Sequence, residues 1–270
     1  MDSVEVLRLA QLLSSNLDVM WTFLLLLTRF MAAIVLLPGV GMGPGGVVVR
    51  YPAMVILALT ALITSPRATL PPDMVMMGAQ IISEALLGAA LAMIPHMLIS
   101  GVQVAAQLSS TSMGLGASQL FDPTTNVTVP DIARLMSDLV VVLFLLLGGH
   151  YVIIHAVAGM GGVIVPGTFV VGATTVSELV SRSADIFRIG VMVAAPVLVA
   201  LLLAQFVLGL ISRAVPTVNV FIVSFPLTIG IGLLLLILAL PDVVTFMRGE
   251  FNRIEPSVID IVSDARSVTP

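Results

Sequence analysis

The chain contains no cysteine, which excludes disulfides, thiolate metal sites and thiol nucleophiles. Lysine is also missing, and all eleven basic residues are arginines. No flexible lysine-rich arm for nucleic acid or anionic lipid is therefore encoded. Charge of either sign is scarce: 10% of the 270 residues are Asp, Glu, Lys or Arg, against about 25% in soluble domains. What remains is apolar, with 59% hydrophobic residues and a mean hydropathy of +1.17. Long uninterrupted apolar runs point to membrane-spanning helices, which satisfy every backbone polar group within one segment. The expected fold class is therefore all-α, a polytopic membrane protein. A net charge of -4 selects no partner class, and no polar linker divides the chain, so residues 1–270 read as one unit. Asp2, Glu5 and Arg8 precede the first apolar run without an A-x-A-like cleavage site, which predicts no removable signal peptide.

Within that unit, residues 1–16 form a polar N-terminal segment. Leu17 to Leu37 is a 21-residue apolar run with Asp18 at its edge and Arg29 the charge deep inside it, enough to cross about 30 Å of hydrocarbon. Pro38 and the Gly39–Gly46 stretch predict a bend, since Gly and Pro are poor helix formers. Tyr51 to Ser65 is apolar but short, and Arg67, Pro71, Pro72 and Asp73 mark a polar turn. The next apolar run, from Met74 to about Ser100, contains Glu84, His96 and a kink-forming Pro95. The small, polar stretch from Gln103 to Asn126 comes next, and Asp122-Pro123 stops any helix there. Pro130-Asp131 opens a helix over Ile132 to Leu147, and His150 to Val165 is compatible with helix or ordered loop. A polar run, Ser177 to Arg188, precedes Ile189 to Ser212. Arg213 and Pro216 separate that span from Val218 to Leu240, so the two form a helical hairpin. Residues 242–270 read as a polar C-terminal tail. Several helices are short, kinked or broken, and irregular backbone at membrane depth must be buried in protein or line a cavity. Packing within a larger helical assembly is expected.

Arg29 and Glu84 are the two charges deep inside apolar segments, and burying either alone costs about 2.5 kcal/mol or more. Each needs a partner: they suit one another, backbone carbonyls, or a proton or ion relay. His150 and His155 lie about 140° apart around a helix, which separates them as ligands to one metal. No G-x-S-x-G elbow, H-E-x-x-H pair or phosphate-cradling G-x-x-x-x-G-K-[ST] loop occurs. No enzyme activity, cofactor, metal or nucleic-acid partner is expected. Residues Ser109 to Asp122 are small, polar or flexible. They suit close helix packing, or a loop in which Met113, Leu115, Leu120 and Phe121 obstruct a passage while glycines let it move.

The stretch from Ala195-Pro196 through Gly209, Arg213, Pro216, Asn219, Phe221, Phe225-Pro226-Leu227 and Gly230 resembles the FliR family, with its R-x-x-P turn, then N or S-x-F, then F-P-L. Met113-Gly114-Leu115, Phe121-Asp122-Pro123, Ala133-Arg134 and Leu143-Phe144 leading to Gly149-His150 are similar to it too, and Arg29, Pro38 and Arg50 match more loosely. The resemblance implies the R subunit of the flagellar type III export gate in the bacterial inner membrane, within the flagellar basal body. It implies P- and Q-type partner subunits, the B and A subunits of the apparatus, membrane lipid, and unfolded export substrates, with energy supplied elsewhere. It further implies a plug loop over residues 107–126, matched here at Met113, Gly114, Leu115, Phe121, Asp122 and Pro123. Arg29, Glu84, Arg134, His150, Arg213, Pro216 and Asn219 are the candidates for buried charges or assembly contacts. The T subunit of the virulence injectisome is homologous and shares these patterns, so a needle-type system is the alternative. A small-molecule transporter built from broken helices is a further one.

Overall fold

The computed structural model describes residues 3–39, 46–115, 132–214 and 220–266. Most of the Gly39–Gly46 bend, the Pro123 stop, the Pro130-Asp131 helix start and the turn at Pro216 lie outside the described residues. Among the described residues every regular element is a helix: α1 Ser3–Leu36, α2 Gly46–Thr64, α3 Met74–Met113, α4 Ile132–Leu146, α5 Gly149–Val157, α6 Ala173–Ala214, α7 Val220–Phe251 and α8 Ile254–Arg266. Among the described residues four stretches are long and apolar enough to cross a membrane, Asn16–Leu36, Met74–Met113, Ala173–Ala214 and Val223–Val262, and Ala133–Leu146 with Gly149–Val157, bent by 68°, makes a fifth if the pair is one span. With 40 residues, α3 has about twice as many as one crossing of the hydrocarbon layer needs. Part of it therefore needs protein or water around it.

Three helices differ from the sequence expectation. α3 runs through Pro95 and through the polar stretch up to Met113. It can do so because Ser109, Thr111 and Ser112 fold their hydroxyls back onto the carbonyls of Ala105, Gln107 and Leu108 at 2.8–2.9 Å, so the polar side chains are satisfied within the helix. α6 absorbs the charged run before Ile189. There Asp185 bridges Arg182 at 3.6 Å and Arg188 at 3.0 Å, both at helical i,i+3 spacing. The region read as a polar tail holds the end of α7 and all of α8. Ile254, Ser257, Val258, Ile261 and Val262 are buried, one stripe of a helix whose other face carries the charges.

The chain divides into two compact units, one of residues 1–96, 148–181 and 253–270, the other of residues 97–147 and 182–252. In the first, α1 packs on α2 and α5, and α5 on α8. Trp21, Leu25 and Ala68 form a core with Met77 and Ile81 beside it. The turn after α2 is tied down on α1: Ala68 N–H donates to Thr22 Oγ1 and Leu70 N–H to Asp18 Oδ1, each at 2.9 Å. Trp21 Nε1 donates to Gln80 Oε1 at 2.9 Å, joining α1 to α3.

In the second unit, α6 and α7 form the expected hairpin. Arg188 reaches Glu250 at 3.2 Å, and Val197 and Leu201 share a core with Met113, Ile231, Leu235 and Leu236. These pairings ascend along one helix as they descend along the other. Phe144 of α4 meets Phe251 of α7 in a tilted ring contact, with centroids 5.5 Å apart. The outer faces of α6 and α7 stay uncovered: Leu202, Leu203, Phe206, Leu234, Ile237 and Leu238 are each more than half exposed.

Candidate functional site

The end of α3 is the first site. A helix leaves its last carbonyls without intrahelical partners, and here two of them are met by side chains. Gln205 Nε2 of α6 donates to the Ser112 carbonyl at 3.4 Å, and Thr228 Oγ1 of α7 lies 3.1 Å from the Met113 carbonyl. Gly114 turns the chain at φ +86°, a left-handed conformation that ends helices and suits glycine. Its N–H donates to the Thr111 carbonyl at 3.1 Å.

The Met113 side chain is fully buried and lies against Gly232. A Cβ added to that glycine would sit 2.5 Å from Met113 Cγ, 2.6 Å from Cε and 2.8 Å from Sδ. A Cβ at Gly114 would meet Phe225 Cε1 at 2.9 Å. Two stretches more than a hundred residues apart are thereby brought together: Met113-Gly114-Leu115, and the segment from Phe225 to Gly232. Leu115 is half-buried at the edge of the same core. Phe121, Asp122 and Pro123, like Pro216 and Asn219, lie outside the described residues.

The second site is in the other unit. Arg29 Nε donates to Glu84 Oε2 at 2.5 Å, and both side chains are completely buried. The pair also holds a loop at its two ends: Arg29 Nη1 donates to the Val157 carbonyl at 3.3 Å, and Gly167 N–H to Glu84 Oε1 at 2.6 Å. Between these points Gly159, Met160, Gly161 and Gly162 all have positive φ, a left-handed run that its glycines permit. The stretch from His150 to Val165 is thus most of α5 followed by an ordered turn.

Of the remaining candidates, Arg134 in the first turn of α4 and Arg213 in the last turn of α6 are exposed rather than buried. Both sit at helix ends, where a long arginine reaches solvent. His150 is half-buried, its ring 4.0 Å from that of Tyr151. Gln205, Thr228 and Gly232 were not singled out by sequence reasoning. Thr228 and Gly232 fall beside the F-P-L pattern at Phe225-Pro226-Leu227, the only signal that could have pointed to them. The described residues contain no group of three or more His, Asp or Glu side chains placed to hold a metal.

The sequence model of the bacterial export proteins, family 1, matches residues 20–254. That range includes both sites. This chain belongs to the FliR family of bacterial export proteins. The flagellar biosynthetic protein FliR of Escherichia coli (strain K12) is 28% identical over 183 residues, 68% of this chain and 70% of the relative. FliR of Aquifex aeolicus (strain VF5) is 30% identical over 173 residues, 63% and 66% of the two chains. FliR of Caulobacter vibrioides is 26% identical over 222 residues, 81% and 88%. Family and apolar helices together place this FliR-family chain in the bacterial cell membrane.

Proposed function

We propose that the chain is a structural and gating subunit of the flagellar type III protein export channel. In this reading it assembles with P- and Q-type membrane subunits, works beside the B and A subunits, and passes unfolded flagellar substrates. The segment that starts at Met113-Gly114-Leu115 and includes Phe121, Asp122 and Pro123 plugs the closed channel. The observation that carries the reading is the fixed root of that segment. The last turn of α3 is held by Gln205, Thr228 and the Gly232 socket, so the plug segment is anchored at a defined point.

Two further features support it. The apolar faces of α6 and α7 are left uncovered, and exposed apolar area of that extent calls for lipid or partner helices. α3 is also about twice as long as a bilayer requires, which fits a helix partly packed in an assembly.

Deleting residues 116–119 tests the plug while sparing Gly114, which ends α3. In the complex with its partner subunits, the deletion is expected to let small solutes leak through the closed channel while the complex still assembles, because the root at Met113 and Gly114 is kept. Wild-type permeability in the deletion would reject the plug role.

A further inference from the structure

We infer that Thr228 is a positioning residue of the gate, whose single hydroxyl proton moves between two carbonyls and so sets whether the end of α3 is docked on α7. The inference rests on the gating role proposed above. Thr228 is buried, and its Oγ1 lies 3.1 Å from the Met113 carbonyl, 2.9 Å from the Ser224 carbonyl and 3.3 Å from the Phe225 carbonyl. A threonine hydroxyl has one proton to donate, so it cannot serve all three acceptors at full strength.

The bond to Ser224 is internal to α7 and stays available whether or not Met113 is present. The bond to Met113 is the one that joins two helices. When the end of α3 leaves, the proton settles on Ser224 and no buried donor is stranded, which removes the usual cost of breaking a buried hydrogen bond. Thr228 can therefore hold the docked position and release it reversibly. The contact between Met113 and Gly232 is different in kind: it is packing against a fixed surface and offers no second arrangement. Gln205, exposed and at 3.4 Å from its carbonyl, is the weaker of the two holds.

The test uses the chain assembled with its partner subunits in liposomes and measures leak of a small fluorescent solute, alongside complex yield. Thr228→Val keeps the branched shape and removes the proton. It is expected to raise the leak about fivefold or more, because the docked Met113 carbonyl is left buried without its donor, with yield unchanged. Thr228→Ser, which keeps the hydroxyl, is expected to return the leak to the wild-type level. The 116–119 deletion is run in parallel. A leaking deletion with a tight Thr228→Val complex would overturn the inference and leave the gating role standing. A tight deletion would overturn the gating role and the inference with it. Loss of yield in Thr228→Val without leak would show a merely structural threonine and also overturn it.

Discussion

Glu84→Leu and Arg29→Leu are each expected to destabilise the protein by about 3–5 kcal/mol, the cost of leaving a buried charge without its partner. Both side chains are fully buried and in contact. Neither can turn to water without dismantling α1, α3 and the loop that the pair holds through Val157 and Gly167. The double substitution removes both charges and is expected to recover most of the loss, because well-packed apolar residues often replace a buried ion pair without penalty. Thermal melting of the detergent-purified chain, with yield of folded protein, reads all four forms. Wild-type melting in both single variants would mean that the pair contributes nothing to the fold.

Gly88→Ala is expected to be nearly as damaging, at about 1–3 kcal/mol for forced overpacking. A Cβ on Gly88 would overlap the Arg29 carbonyl oxygen and lie 3.0 Å from the Arg29 carbonyl carbon and 3.3 Å from Ala33 N. All three are backbone atoms of α1, so no side-chain rotation relieves the clash and the two helices must separate. Gly78 provides the control. It lies in the same helix with nothing within 4 Å of its Cβ position, so Gly78→Ala should be neutral or raise stability by up to about 1 kcal/mol through helix propensity. Equal melting temperatures for the two alanine variants would contradict the close approach of α1 and α3.

How much of this was readable in the sequence depends on the range of the interactions involved. The cores of α1, α6 and α7 were legible because a run of twenty or so apolar residues has few alternatives to a membrane helix. The pairing of α6 and α7 was legible because only a few residues separate two such runs in the sequence. The full length of α3 was not, since polar residues near its end usually signal a stop. Whether Ser109, Thr111 and Ser112 bond inward to their own helix is a rotamer choice that composition does not record. α8 was hidden by its charges, although the spacing of Ile254, Val258, Ile261 and Val262 carries the helical period.

At the sites the same distinction holds. Arg29 and Glu84 stand out singly because each is the charge deep inside an apolar run. That the same pair fastens Val157 and Gly167 depends on contacts across 83 to 128 positions. The stretches at Met113 and Phe225 each resembled the family separately. Their meeting, and the glycine that makes room for Met113, belong to the tertiary structure alone.

The measurement that tests the central claim most directly is a mild-detergent pull-down of the tagged chain, expressed with its genomic neighbours, followed by mass spectrometry. An export-channel subunit is predicted to recover P- and Q-type flagellar membrane subunits in one stable complex, with the apolar faces of α6 and α7 protected from hydrogen exchange relative to the free chain. A chain that runs alone as a stable monomer or homodimer would contradict the account, and recovery of injectisome subunits would contradict its flagellar assignment.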